Sequence, residues 1–384
     1  MSDPAAVRLR IEKLVAGGDG LAFHEGKAVF VPFSLPGELV LARVESGKRD
    51  YAQASLLEVL EPSRHRVAPP CPLYRECGGC NLQHLAYSRQ VEEKALMVAE
   101  AFARTAKLEV GEIAAVPSLP LAYRNRMQLH FSDEGRLGFM RRSSSDVVEA
   151  SSCMVALRPI QDWIEERAGT SRAFEELGDY VRGKDRFIVF GYGNEVWKEG
   201  EQSVVEVSVA GAPIRFHIRD FFQSNLYLLD YFVPDAVAGL SGDRAADLFC
   251  GVGLFGRFLS SAFRSVVYVE QNPHALQQAR ANAVGSEHEF YDLPVEDWVR
   301  ELSARKSFDL VLVDPPRTGL SAPVRQWLAA SRPPTIVYVS CDPVTLARDS
   351  AELVRSGYEL RSLKAFDFYP QTAHVECDAR FTLR

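Results

Sequence analysis

The 384-residue chain is short of three things, and each shortage closes off a class of function. It has no run of about 20 apolar residues, so no transmembrane helix is expected. Its opening, MSDPAAVRLRIEK, has no signal-peptide pattern. It also has no basic excess: 44 Lys and Arg stand against 51 Asp and Glu, a net charge of −7. A nonspecific polyanion binder would be basic overall. A cytoplasmic protein with no membrane partner is expected. In that compartment the seven cysteines are not expected to form structural disulfides. Metal binding or catalysis is then the better reading of any cysteine cluster.

What is present is a 47% apolar content, enough for full cores. The length suggests about two to three domains. The stretch that organises the chain is Ile336–Asp349, IVYVSCDPVTLARD. An apolar strand, Ile336 to Val339, ends in Ser340-Cys341-Asp342-Pro343. A cysteine at the carboxyl end of a strand in an open α/β sheet sits where such sheets bind ligands. Pro343 forces a sharp exit, so the thiol is presented. The bland alternative is a small buried hydrophobe, the usual fate of a free cysteine.

Residues 1–61 alternate apolar and polar, with turn signals at Gly17-Gly18-Asp19-Gly20 and Pro36-Gly37-Glu38. Short strands at that spacing suggest a small β-barrel. The order GDGLAFHEGKAVFVPFSLPGELV resembles the TRAM module, a small RNA-binding barrel attached to RNA-modifying enzymes. Next come Cys71, Cys77, Gly78, Gly79 and Cys80. Cys153 is the nearest candidate to complete a set of four thiolates, which suits zinc or an iron–sulfur cluster. The glycines let a backbone fold tightly around an inorganic centre.

Ser88–Lys107 has helical periodicity, with Ser88 as a candidate cap. Arg124, Arg126, Arg136, Arg141 and Arg142, with Tyr123, Phe131 and Phe139 nearby, offer an RNA grip. A solvated hairpin is the competing reading. Residues 155–215 read as mixed α/β material without a legible motif.

From residue 216 strands alternate with helices, which implies a doubly wound, mostly parallel sheet. The strand Ala245–Phe249 runs into Gly251-x-Gly253-x-x-Gly256, and Glu270 follows roughly 20 positions later, as a ribose-binding carboxylate requires. Taken literally, this is the dinucleotide fingerprint, and an NAD-dependent dehydrogenase is the rival hypothesis. No second half-site follows, and the strand Phe308–Val313 ends in Asp314-Pro315-Pro316-Arg317. Prolines there fix φ and stiffen the loop that carries the aspartate.

The segments Phe221-Phe222-Gln223-Ser224-Asn225, Asp247–Gly253, Asp314–Arg317, Ser340–Pro343 and Thr372–Glu376 occur in the order found in the RNA (uracil-5-)-methyltransferases, which this chain resembles over nearly its whole length. The resemblance implies three parts. Residues 1–61 form a TRAM-like barrel. Residues 62–215 form a mixed α/β central domain whose Cys71, Cys77, Cys80 and Cys153 hold a [4Fe–4S] cluster, with the helical stretch 84–117 packing on the catalytic domain. Residues 216–384 form a Rossmann-like, S-adenosylmethionine-dependent methyltransferase domain.

The resemblance also implies a chemistry. Carbon 5 of uracil becomes nucleophilic once a thiolate adds to carbon 6. Cys341 is the expected nucleophile and Glu376 the expected general base for the proton on carbon 5. Gln223, Phe249, Glu270 and Asp314 match the cofactor positions. Cys250 is expected to be packing, and Cys377 has no expected role. Asp342 stands where relatives often carry Asn, and an acid beside a thiolate raises the thiol's pKa unless it points away. The expected partner is RNA, with 23S rRNA ahead of the tRNA T-loop. A noncatalytic RNA-binding protein is the remaining alternative. No obligate protein partner is evident, and a monomer is expected.

Overall fold

The computed structural model describes residues 6–178, 181, 186–200, 204–303 and 307–384. The first five residues, part of the stretch read for a signal peptide, lie outside these. Among the described residues no helix is long and apolar enough to cross a membrane.

The barrel's alternating pattern folds as its period of two dictates. Strands Ala6–Arg10, Lys13–Leu14, Gly20–His24, Lys27–Val31, Leu39–Gly47 and Tyr51–Glu61 join one curled sheet. Leu9, Ile11, Val29, Val31, Val40 and Ala42 turn inward as its core. The carboxylate of Glu38 clamps the barrel to the chain that follows, receiving Arg66 Nε at 2.6 Å and Nη2 at 2.7 Å.

The helix Tyr87–Ala101 begins one residue before Ser88, with Ala86 at its N-cap position and no side-chain cap. Its last turn, Phe102–Ala106, widens into a π-helix and stops at Lys107 in the left-handed conformation. Ser88 lies inside the first turn, so it is not the expected cap. What fixes the start is a tertiary bond, Ala86 N donating to His65 O at 2.9 Å.

A central sheet contains Arg126–Phe131, Leu137–Met140, Val147–Glu149, Arg186–Tyr192 and Glu195–Lys198, with the helix Arg158–Glu165 packed on it. Of the expected RNA-gripping aromatics, Tyr123 is buried and Phe131 and Phe139 are half-buried against the central core. Tyr123 donates to Pro370 O, and Phe131 stacks on Phe187. Arg136 pairs with Glu134 and Glu149, Arg141 with Glu76, and Arg142 with Asp19.

The C-terminal part is built on an eight-stranded sheet. Its order runs Glu289–Asp292, Phe263–Glu270, Gly242–Leu248, Leu310–Val313, Thr335–Ser340, Glu376–Leu383, Tyr358–Phe366, Ala114–Val116. The first five are parallel, and Glu376–Leu383 enters antiparallel to both its neighbours. Parallel strands covered on both faces need continuous apolar runs, and Val266–Val269 and Leu310–Val313 supply them. Helices Leu226–Val237, Leu254–Ala262 and Pro273–Asn282 cover one face. Val295–Glu301, Ala322–Ser331, Pro343–Arg355 and the early helix Tyr87–Ala101 cover the other. The hairpin Val204–Val209 and Ala212–His217 packs into the first of these cores, and its second strand runs across the boundary expected at 215 and 216.

The chain builds strands outward on one side of Gly242–Leu248, then crosses back to lay Leu310–Val313 on the other. A crevice opens at such a reversal, beyond the carboxyl ends of the strands.

Candidate active site and cysteine cavity

That crevice is a cavity of about 860 Å³. Gln223, Phe249, Glu270, Asp314, Cys341 and Glu376, drawn from segments more than 150 residues apart, all line it.

At its cofactor end, Phe249 leaves the strand Gly242–Leu248 with φ 62°, a conformation uncommon for a residue with a side chain. Gly251 follows at φ 52° and Gly253 at φ 74°. Gly256 has a steric reason to lack a side chain: a Cβ there would stand 2.0 Å from Tyr268 Cε1. The turn is stapled from both sides. Gly256 N donates to Asp247 Oδ2 at 2.8 Å, and Gly251 N donates to Glu270 Oε2 at 3.0 Å. Glu270 Oε1 accepts from Asn272 N at 2.8 Å, which fixes the carboxylate at the cavity wall. Gln223 Oε1 and Asp247 Oδ1 are buried with no protein partner. Gln223 lines the cavity, and an orphaned acceptor at a cavity wall suits a ligand that brings donors, such as an amino-acid ammonium or a ribose. Asp247, fully enclosed, has its pKa pushed up to about 8 by burial, with Asp314 and Glu270 adding to the effect.

At the other end lie the thiol and its carboxylate. Ser340 pairs with Cys377 across the antiparallel ladder, so the next residues outward are Cys341 and Glu376. Burial pushes the Cys341 thiol up to about 12, and the charges of Glu376 and Asp314 add to it while Arg317 opposes. Burial likewise raises Glu376 well above the usual carboxylate range, with Asp314 adding and Arg317 opposing. Desolvation raises Asp314 to about 7. Two carboxyls and a thiol crowd one low-dielectric end, so their charges compete and the resting site holds protons.

Asp342 points away from this group. Its Oδ1 caps the helix Pro343–Arg355, accepting from Val344 N at 2.9 Å and Thr345 N at 2.8 Å, with Pro343 at the first helical position. Asn caps equally well, so either residue serves there. Cys250 and Cys377 are buried. Thr372 Oγ1 donates to Tyr369 O and accepts from His374 N, a turn ahead of Glu376.

Several cavity residues had no assigned role from sequence. Phe221, 68% exposed, stands at the mouth. Arg317 comes with the Asp-Pro-Pro run. Arg124, expected among the RNA-gripping arginines, also lines the cavity and lies over the Tyr369 ring at 5.9 Å. No local pattern marks Tyr369. Asp247 was legible only as the acid before a glycine-rich turn.

A second cavity, about 250 Å³, is lined by Cys71, Cys77, Cys80 and Cys153. All four thiols are free. Burial pushes Cys80 up to about 12, with Cys153, Cys77 and Cys71 adding, and it raises Cys77 and Cys153 too. Among the described residues no three His, Cys, Asp or Glu side chains stand ready to hold a single metal ion.

Three family profiles match the chain: the tRNA (uracil-5-)-methyltransferases over residues 299–382, the TRAM domain over 5–57, and the methyltransferase small domain over 227–325. The 23S rRNA (uracil(1939)-C(5))-methyltransferase RlmD of Shewanella sediminis is 32% identical, over 99% of this chain and 96% of its own. An uncharacterized RNA methyltransferase of Bdellovibrio bacteriovorus is 33% identical over 96% and 93%. Among solved structures, the Pyrococcus abyssi tRNA (uracil-54, C5)-methyltransferase in complex with S-adenosyl-L-homocysteine superimposes with a TM-score of 0.76 at 26% identity, over 98% of this chain and 99% of its own.

Proposed function

This chain belongs to the RNA uracil-5-methyltransferase family, and from that premise we propose that it methylates carbon 5 of a uridine in 23S rRNA through a covalent adduct to Cys341. The observation that carries the proposal is that Cys341, one residue past the strand Thr335–Ser340, and Glu376, the first residue of the neighbouring strand, line the same cavity as the glycine-rich turn.

The chain's residues act in this order. Gln223, Phe249, Glu270 and Asp314 hold the cofactor. S-adenosylmethionine, when bound, supplies an electrophilic methyl group on a positively charged sulfur. The target uracil must leave its stack to reach the thiol. Burial keeps the resting Cys341 protonated, so as Sγ bonds to carbon 6 the S–H bond breaks and its proton passes to water in the cavity, leaving Glu376 free for the later step. The electron pair released onto carbon 5 takes the methyl group. Glu376 then removes the proton from carbon 5, whose bonding pair restores the carbon 5–carbon 6 double bond. The carbon 6–sulfur pair leaves with Cys341. A carboxylate in water is too weak a base for this work, and the burial that raises Glu376 brings it toward the working pH.

Cys71, Cys77, Cys80 and Cys153 hold a [4Fe–4S] cluster in this reading. Four free thiols around one cavity support it, as does the burial that raises Cys77, Cys80 and Cys153: a cationic centre would offset it for the thiolates. The cluster would supply a rigid cross-link between the cysteine loop and the strand-rich central domain. The working division is barrel for RNA contact, cysteine-bearing centre, and catalytic part, with the hairpin 204–217 belonging to the last. A cytoplasmic monomer acting on RNA completes the reading.

The rRNA target is favoured over the tRNA T-loop because the relatives matched over nearly their full length include 23S rRNA enzymes at 32–34% identity. Mass spectrometry of rRNA and tRNA from a deletion strain tests it. Loss of one 5-methyluridine from 23S rRNA is expected. Loss from the T-loop with intact rRNA would transfer the assignment to tRNA.

A further inference from the structure

Three segments remote in sequence meet just ahead of the strand that carries Glu376. Gln371 has φ 67°, a left-handed conformation that a residue with a side chain keeps only when its surroundings enforce it. They do so here. Gln371 O accepts from Asn81 N at 3.0 Å and Leu82 N at 2.9 Å, while Gln371 N donates to Gln90 Oε1 at 2.9 Å.

Asn81 directly follows Cys80. Its Oδ1 accepts from Ala373 N at 3.0 Å, and its Nδ2 donates to Gly17 O at 2.6 Å, in a turn of the N-terminal barrel. The fit is close: a Cβ on Gly18 would stand 2.8 Å from both Ala373 Cβ and Asn81 Nδ2. Leu14 of the barrel, Leu82, Leu85 and Ala373 form a small core beneath the junction. One side chain thus ties the barrel to the loop that delivers the general base.

We propose that Asn81 is a positioning residue for Glu376, setting the carboxylate for proton removal through its bond to Ala373 N. This rests on Glu376 being the base. The affected step is the last one: the carbon 5–hydrogen bond breaks, the proton goes to Glu376, and the carbon 6–sulfur bond opens to release Cys341. Cys341 itself is fixed from another strand and by the Asp342-capped helix, so adduct formation does not pass through Asn81.

The test is a single-turnover reaction of the full-length enzyme with its RNA, followed on denaturing gels. Asn81→Ala should form methylated adduct at the wild-type rate and release it more slowly, by about 10²-fold if the carboxylate is displaced on the order of 1 Å. Asn81→Asp keeps the acceptor for Ala373 N and loses the donor to Gly17 O. It should restore release. Asn81→Leu keeps the bulk, loses both bonds, and serves if the alanine protein does not fold; its adduct should persist likewise. Release at the wild-type rate, or formation and release falling together, overturns the proposal. Glu376→Gln is run alongside. If it traps no adduct, the assignment of the base fails instead.

Discussion

Cys341 and Cys80 share a number and differ in company. Burial pushes both thiols up to about 12. Around Cys341 the further contributions come from two carboxyls, with an exposed arginine opposing, in a cavity of about 860 Å³. Around Cys80 they come from three other thiols, in a cavity of about 250 Å³. The first setting suits the proposed thiol chemistry, with the carboxyl of Glu376 beside it. The second crowds four thiols together, with Arg124 the cation that opposes the rise at Cys77 and Cys153. The same shift goes with a proposed nucleophile in one place and a proposed ligand set in the other. The two cavities are not far apart either: Gly78, Gly79 and Arg124 line both.

The sharpest break of this comparison comes at the thiols' neighbours. Cys341→Ala should abolish adduct and product together. Glu376→Gln should still add and methylate, then stall, with release slowed about 10²–10⁴-fold as for loss of a positioned base. A Glu376→Gln enzyme turning over normally would remove that residue from the mechanism. An adduct on Cys341→Ala would move the nucleophile, with Cys250 or Cys377 next to examine.

Next in size is the effect at Cys80. Anaerobically purified protein should be brown and contain iron, and Cys80→Ser should lose most of both. Colourless, zinc-loaded wild-type protein would refute the cluster. RNA binding, measured by filter retention, should fall more than methyl transfer within the bound complex, because the cysteine loop supports the barrel contact and supplies no reacting atom.

A smaller effect is expected at the cofactor end. Calorimetry should show binding of S-adenosylhomocysteine and none of NAD, and Glu270→Ala should weaken it by more than tenfold, since a carboxylate fixed toward two hydroxyls contributes roughly 1.5–3 kcal/mol. Gly256→Ala should destabilise the fold by about 1–3 kcal/mol through overpacking against Tyr268. NAD binding in place of the homocysteine compound would restore the dehydrogenase reading.

The smallest effect is on stability against pH. Burial raises Asp247 to about 8 and Asp378 to about 7, above their unfolded values. Between the unfolded and folded values the native state binds more protons than the unfolded chain, so stability is greatest at the acid end and falls as pH rises toward 8. Asp247→Asn should flatten that slope in denaturant titrations at pH 5 and pH 8. An unchanged slope would mean Asp247 is ionised in the fold.

The sequence by itself determined the catalytic alphabet. Glycine-x-glycine after a strand, Asp-Pro-Pro-Arg and Ser-Cys-Asp-Pro each sit at a strand's carboxyl end, and that placement needs only local patterning and the alternation of strand and helix. Even there, Glu376 was legible through family resemblance alone, since a lone acid carries no local signal. Tertiary structure decided what depends on contacts across the chain. The helix Tyr87–Ala101 joins the catalytic core and takes its start from His65, where Ser88 had the look of a cap. Tyr123 went to the interior and half-buried Phe131 stacks on Phe187, because burial on folding outweighs any preference a local arginine-rich context suggests. Asn81 reads as a loop residue after a cysteine. Only the folded chain brings Gly17 to one end of its side chain and Ala373, 292 positions on, to the other, and hydrogen bonds of that reach have no period to leave in a sequence.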